Sequence, residues 1–301
     1  MLSIRKFAAI DIGSNAVRLL ISNIIEEAGK EVVFKKNSLV RVPIRLGADV
    51  FTKGAVSDFN KERMINTMTA FKLLMSAHGV ERYKACATSA MREASNGLEL
   101  TKLIKDKANL SIDIIDGEVE AAIIAETDLH TFIDPNKSYL YVDVGGGSTE
   151  FSVIHNSKKV LSESFKIGTV RLLNDMVSEE TWSAVESWVR LNTQAYEKLE
   201  LIGSGGNINK IFKISGKDLG KPLTYFYLIS YYNELQEFTY DERITKLNLN
   251  QDRADVIIPA TRIYLSAMKW SGAKHIYVPK IGLSDGIIKS VYYGKVESYV
   301  L

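Results

Sequence analysis

The chain has one cysteine, four histidines and five prolines among 301 residues, and each scarcity excludes something. Cys86 has no intramolecular partner, so a disulfide-stapled scaffold is ruled out and nothing asks for an oxidising compartment. Its place in an apolar stretch marks it as core. His78, His130, His155 and His275 are scattered without metal-ligand spacing, which leaves a zinc or histidine-based centre unsupported. No Gly/Ser-rich or Pro-rich tract marks a flexible linker, so any domain boundary has to be a short connection. No apolar run approaches the ~18 residues of a spanning helix, and no membrane partner is expected. Neither a Gly-x-Ser-x-Gly elbow nor a Walker A loop occurs. An excess of either charge is missing too, since 38 basic and 36 acidic residues give a net charge of +2. Such a balance offers no general attraction to nucleic acid, and Lys35-Lys36, Arg41 with Arg45, and Lys158-Lys159 read as solvated local clusters.

Hydrophobic residues make up 46% and charged residues 25%, the composition of a folded, soluble protein. The length admits two domains, each able to bury its own core. The start, Met1-Leu2-Ser3-Ile4-Arg5-Lys6, leads directly into the first glycine turn. A cleaved leader would remove that turn, so a mature N-terminus and a cytoplasmic location are expected.

The most informative feature is a duplication. Phe7-Ala8-Ala9-Ile10-Asp11-Ile12-Gly13-Ser14-Asn15 is followed by the apolar Val17-Arg18-Leu19-Leu20-Ile21. Leu140-Tyr141-Val142-Asp143-Val144-Gly145-Gly146-Gly147-Ser148-Thr149-Glu150 is followed by Phe151-Ser152-Val153-Ile154, with the two aspartates 143 − 11 = 132 residues apart. Each copy is a strand ending on a carboxylate and a glycine turn, which offers backbone N–H groups and a hard oxygen at one point. A phosphate chain and its Mg²⁺ need that combination. Two copies imply similar halves holding one phosphorylated ligand.

Residues 6–12, 17–25 and 31–42 read as a strand meander. Phe59, Met64, Ile65, Met68, Phe71, Leu74 and Met75 recur at helical spacing over 57–78, with Ser57 or Asp58 as the cap. A strand at 83–87, a helix over 97–108 and a strand at 112–115 follow. Asp116 then opens a helix running to about His130. After the Asp134-Pro135-Asn136 turn, strands at 139–144, 149–155 and 159–167 repeat the meander. Helices are expected over 178–197, 207–214, 224–238 and 252–271, then a strand at 276–278 and a last helix over 285–293. Trp182, Trp188 and Trp270 fall on helical patterns and should pack. The shared order argues for an α/β fold with one mixed sheet per half, an N-terminal domain over 1–130 and a C-terminal domain over 131–301.

Asp11 and Asp143 are the candidate Mg²⁺ ligands, with Glu150 a weaker third. Glycines in Gly13-Ser14-Asn15 and Gly145-Gly146-Gly147-Ser148-Thr149 let successive N–H groups face one anion. A ligand-free hairpin is the other reading of the first turn. Arg18 and Arg92 are candidate clamps for phosphate oxygens. Arg18 lies in an apolar stretch and needs a partner, for which a carboxylate would serve as well. Arg92 could equally be exposed surface. Glu118 and Glu120 open a helix, where carboxylates complement the dipole, and Glu120 is also placed to orient water. Gly203-Ser204-Gly205-Gly206 is a third glycine turn leading into a helix, a candidate nucleotide or phosphate loop or a close-packed turn.

At these motifs the chain resembles the exopolyphosphatase / guanosine pentaphosphate phosphohydrolase (Ppx/GppA) family of the actin and sugar-kinase superfamily. The two duplicated stretches are similar to the family's two phosphate motifs, and Thr88-Ser89-Ala90-Met91-Arg92 to its Thr-Asn-Ala-Leu-Arg stretch. Gly168-Thr169-Val170-Arg171-Leu172, Arg253-Ala254-Asp255-Val256-Ile257 and Gly282-Leu283-Ser284-Asp285-Gly286 also fit, in the family's order, over essentially the whole chain. The resemblance implies two ribonuclease-H-like domains of mixed sheet plus helices, with the active site in the interdomain cleft. It implies Mg²⁺-dependent release of terminal phosphate from inorganic polyphosphate or guanosine pentaphosphate, and a homodimer is within the family's range. In Asp116-Gly117-Glu118-Val119-Glu120-Ala121, Glu120 takes the place of the family's catalytic glutamate. Val119 stands where the family has a first glutamate, and Asn207 where a threonine follows the Gly-Gly pair. The extra helical domains of longer members have no counterpart in these 301 residues. A kinase of the same superfamily and a non-catalytic sensor of guanosine tetra- or pentaphosphate are the other functions open to this sequence.

Overall fold

The computed structural model describes residues 2–127, 129 and 132–301. The expected domain boundary at 130/131 and the end of the helix toward His130 lie outside the described residues. Strand β1 (Leu2–Ile12) pairs antiparallel with β2 (Val17–Glu27), and β2 with β3 (Val33–Val42). The run from Phe7 to Ile12 is buried at every position because β1 is a central strand covered on both faces. Strand β3, beyond β2, carries the exposed Lys35 and Lys36 and lies at the sheet edge.

Helix α1 (Leu46–Lys53) starts after Arg45 and ends at Gly54, both left-handed. Helix α2 (Asp58–His78) starts where Ser57 accepts the Asn60 N–H and stops at left-handed Gly79. Then come β4 (Arg82–Ala87), α3 (Ser89–Glu93), α4 (Gly97–Ala108), β5 (Asp113–Ile114) and α5 (Gly117–Ala125). Strand β4 runs parallel to both β1 and β5.

The pattern then repeats. Strands β6 (Ser138–Val144), β7 (Thr149–His155) and β8 (Lys158–Phe165) form a second antiparallel meander. After α6 (Thr169–Leu173) and α7 (Glu179–Thr193), β9 (Leu199–Ser204) joins β6 in parallel. Next in the chain are α8 (Gly206–Ile214), β10 (Leu223–Thr224), α9 (Tyr225–Glu237), α10 (Tyr240–Thr245), α11 (Gln251–Ala254), α12 (Ile257–Ser271) and β11 (His275–Tyr277). Strand β11 lies parallel to β9. Trp182 and Trp270 meet edge-on at 5.7 Å, and Trp188 packs on the same core. The chain closes with α13 (Leu283–Tyr292) and β12 (Tyr299–Val300).

Two compact units result, Met1–Thr127 with Leu283–Leu301, and Asp128–Gly282. Each holds a six-stranded mixed sheet in which the meander's first strand runs parallel to the strand that follows the first helices. Both are ribonuclease-H-like α/β units. The extent expected for the second domain, 131–301, does not hold at its end. Helix α13 packs on the first sheet, where Phe34 meets Tyr292 at 5.4 Å and Lys36 pairs with Asp285 at 2.7 Å. Gly286 lies so close to α5 that a Cβ would be 2.1 Å from the Ile123 carbonyl oxygen.

The helix expected over 252–271 is two helices. Pro259 has no N–H for a continuous ladder and sits instead in the first turn of α12, where no donor is required. The Ala254 carbonyl that ends α11 accepts from Arg243 Nη1 at 2.8 Å. Helix α10, absent from the sequence reading, is started by a capping box between Thr239 and Glu242. No helix among the described residues is long and apolar enough to cross a membrane.

Candidate active site

In the first unit the β1–β2 turn is closed by Gly13 N–H donating to Ala16 O at 3.2 Å. The carbonyls of Ser14 and Asn15 accept from the N–H groups of Gly47 (2.7 Å) and Arg45 (3.0 Å). No cis peptide occurs among the described residues, and in a trans peptide C=O and the next N–H point in opposite directions. The N–H groups of Asn15 and Ala16 therefore face away from the 45–47 brace.

Asp11 and Arg18 are register partners, so they share a sheet face, and Arg18 Nη1 donates to Asp11 Oδ2 at 2.7 Å. Asp11 is 5% exposed, and the partner Arg18 needed is this carboxylate. Arg41 is the next residue along the same row, opposite Arg18. Arg92 Nη1 donates to the Ile115 carbonyl at 2.7 Å, immediately before α5. At least one arm of that expected phosphate clamp thus steadies the start of the helix bearing Glu120. Asp116 caps α5 by accepting the Val119 N–H at 2.8 Å. Glu118 and Val119 are exposed while Glu120 is half-buried. Burial pushes the Cys86 thiol up to about 12, and the carboxylates of Asp113, Asp11 and Glu120 add to the rise. Asp11 is the register partner of Cys86 across the sheet.

In the second unit Asp143 and Glu150 are register partners on one face of the sheet, in a row running from Ser204 through Asp143 and Glu150 to Ser164. Glu150, 3% exposed, accepts from Ser148 Oγ at 2.7 Å and from Ser164 Oγ at 2.9 Å. The Thr149 hydroxyl donates to the Ile167 carbonyl at 2.5 Å in a fully buried position. Both hydroxyls are engaged inside the protein. What the turn presents is its backbone.

That backbone is held by α6. Gly145 N–H donates to Ser148 O at 3.0 Å, and the Gly145 and Gly146 carbonyls accept from Thr169 N–H (3.0 Å) and Val170 N–H (2.8 Å). The Gly147 carbonyl accepts from Arg171 Nε at 2.8 Å. With three carbonyls turned to α6, the N–H groups of Gly146, Gly147 and Ser148 point the other way as a ready anion cradle. Contact this close requires Gly168, where a Cβ would sit 2.4 Å from the Gly146 carbonyl oxygen.

The third glycine turn belongs to the same site. Gly205, at φ +117°, has its α-carbon against the Val144 carbonyl and Asp143, at a point where a Cβ would be 2.9 Å from the former and 3.5 Å from Asp143 Oδ1. Buried Tyr264 donates its hydroxyl to the Ser204 carbonyl, and Ser204 Oγ donates to Ile281 O at 3.1 Å. Burial, then the charge of Asp143, holds the Tyr141 and Tyr264 phenols well above their ordinary pKa. Both stay neutral beside the carboxylates. Sequence reasoning assigned no role to Gly168 and Arg171.

Fold and turns together define an α/β protein built from two ribonuclease-H-like units that each carry a braced glycine turn beside an aspartate. The chain belongs to the Ppx/GppA phosphatase family, which it matches over residues 27–293. It is 30% identical to the bifunctional 3-dehydroquinate synthase/phosphatase of Fusobacterium nucleatum over 216 residues, 66% of this chain, and spans 32% of that protein. The crystal structure of the Aquifex aeolicus Ppx/GppA family member is similar at 26% identity and TM-score 0.75, covering 98% of this chain and 100% of that one. An exopolyphosphatase from Cytophaga hutchinsonii shares the fold at TM-score 0.82 and 22% identity, over 96% of this chain and 98% of that one.

Proposed function

We propose that the protein is a Mg²⁺-dependent exopolyphosphatase, releasing orthophosphate from the end of inorganic polyphosphate. Water adds to the terminal phosphorus and the bridging P–O bond breaks, with the proton of the attacking water taken up by a base. The observation that carries this reading is the 145–149 turn, whose three glycine carbonyls are tied to α6 and Arg171. Donors fixed before the reaction stabilise charge on the transferred group without reorganising. In this reading Glu120 orients the attacking water and accepts its proton, while Arg18 and Arg92 add positive charge near the phosphates.

The donor set suits Mg²⁺. That ion commonly takes one or two carboxylates and leaves its other positions to water and phosphate, and Asp143 and Glu150 share one face. Among the described residues no group of three His, Cys, Asp or Glu side chains could hold a metal on its own. A bound Mg²⁺ would neutralise phosphate charge. Asp11 is a third candidate ligand, already paired with Arg18.

Phosphate release from long-chain polyphosphate, guanosine pentaphosphate and ATP, with and without Mg²⁺, tests the reading. Release from polyphosphate that falls by roughly 10²–10⁴-fold in Glu120→Gln is the expected result. Faster release from guanosine pentaphosphate would reassign the substrate. Tight nucleotide binding with no release from any of the three would make the protein a sensor and end the enzymatic reading.

A further inference from the structure

The geometry points to Arg171 as a positioning residue for phosphate transfer, which sets the direction of the Ser148 N–H by holding the Gly147 carbonyl. This inference rests on the phosphate-binding role proposed for the 145–149 turn. Arg171 is buried, 7% exposed, and its Nε–H reaches Gly147 O at 2.8 Å across 24 residues of sequence. The peptide between Gly147 and Ser148 is a rigid plane, so a carbonyl held on one side fixes an N–H on the other. The two preceding carbonyls are held by backbone N–H groups of α6, which no side-chain substitution removes. The third depends on one side chain.

The first unit provides the contrast. Its turn is braced by the backbone N–H groups of Arg45 and Gly47. A buried guanidinium is an expensive brace, because its desolvation has to be offset by the groups around it. Placed behind the turn, it also adds fixed positive charge on the side opposite the three N–H groups. It therefore contributes alignment and potential together, and the two are separable. Lysine retains the charge but cannot reproduce the planar fork that directs Nε at one carbonyl. Methionine retains only the length.

The experiment compares wild type, Arg171→Lys and Arg171→Met in steady-state phosphate release, inhibition by orthovanadate and urea unfolding. A positioning role predicts a kcat lower by about 10–100-fold in Arg171→Lys, with KM changed less than about threefold. Orthovanadate inhibition should weaken in parallel with kcat, and added methylguanidine should restore part of the activity of Arg171→Met. Amide ¹⁵N shifts of Gly146, Gly147 and Ser148 on adding orthophosphate give a readout independent of turnover. The Ser148 shift should be the one diminished in the variants.

A folded Arg171→Lys with wild-type kcat and an unaltered Ser148 shift would overturn the inference while leaving the hydrolase reading intact. An inactive wild type whose three amides still respond to orthophosphate would sink the hydrolase reading, and the inference would then stand or fall on the variant's Ser148 shift. Orthophosphate that moves none of the three amides in wild type would overturn both. If Arg171→Met does not fold, Arg171→Lys alone decides.

Discussion

Replacing Gly168 with alanine would place a methyl carbon 2.4 Å from the Gly146 carbonyl oxygen and 2.6 Å from the Gly147 carbonyl carbon. Ordinary contact starts near 3.4 Å, so the two segments have to separate by 3.4 − 2.4 = about 1.0 Å. The obstruction is backbone on both sides, and no side chain can swing clear to absorb it. Displacement carries the three glycine carbonyls off α6 and tilts the N–H groups of the cradle. Misplacing reacting or stabilising groups by about 1 Å lowers rates on the order of 100-fold, which is ~2.7 kcal/mol in the barrier. Overpacking of this kind also destabilises the fold by roughly 1–3 kcal/mol. The assay is kcat/KM for phosphate release at a temperature where urea titration shows Gly168→Ala to be folded. The expected outcome is a loss of about 100-fold, with orthophosphate binding weakened as well. A kcat/KM within threefold of wild type in the folded variant would refute the claim that this contact sets the cradle.

Two further outcomes are expected. Cys86 has its thiol raised from 9.0 to about 12 in the folded protein, so the unfolded chain ionises first as pH rises. Stability from that proton is complete below pH 9 and lost between pH 9 and about 12, at ~1.4 kcal/mol per pH unit. Urea unfolding of wild type and Cys86→Ala at pH 8, 9 and 10 should show the wild type declining more steeply above pH 9, and parallel curves would contradict the burial. Glu150→Gln should raise the Mg²⁺ concentration for half-maximal activity by at least about tenfold, on the order of 1.4 kcal/mol, if this carboxylate ligates the ion. An unchanged Mg²⁺ titration would remove Glu150 from the ligand set.

Much of the fold was legible in the sequence because strand runs and glycine punctuation recur in both halves. The continuous apolar run at Phe7 to Ile12 marks a central strand, and Ser57 and Gly79 frame α2 as caps should. The misreadings have identifiable causes. Helix α1 was hidden because it begins after a non-glycine residue in the left-handed region, Arg45. The break before α12 could have been read from Pro259, since proline in a first turn is a start signal. The attachment of α13 was not legible, because an amphipathic helix declares a buried face without declaring the sheet that covers it. Arg171 was missed for a similar reason, as its partner is a backbone carbonyl, which leaves no pattern in side-chain chemistry. The inward turn of Thr149 was equally unreadable, because a hydroxyl after glycines serves a phosphate or a carbonyl equally well.

The partners of the two aspartates, however, were within reach of arithmetic. The first turn closes between Gly13 and Ala16 and the second between Gly145 and Ser148. In an antiparallel hairpin the numbers of paired residues have a constant sum, so closure alone places Arg18 opposite Asp11 and Glu150 opposite Asp143, as observed. The duplicated units have therefore diverged at one equivalent position. In the first unit the partner is a guanidinium, and the pair compensates its own charge at 2.7 Å. In the second it is another carboxylate, and like charges opposite each other on a sheet are destabilising unless something positive lies near them. A dication with phosphate is suited to that place, and Arg18 makes the same place in the first unit poorly suited to one. On the proposed Mg²⁺ reading, metal holding would fall to the second copy and charge compensation to the first, a division of labour that the duplicated motif by itself does not disclose.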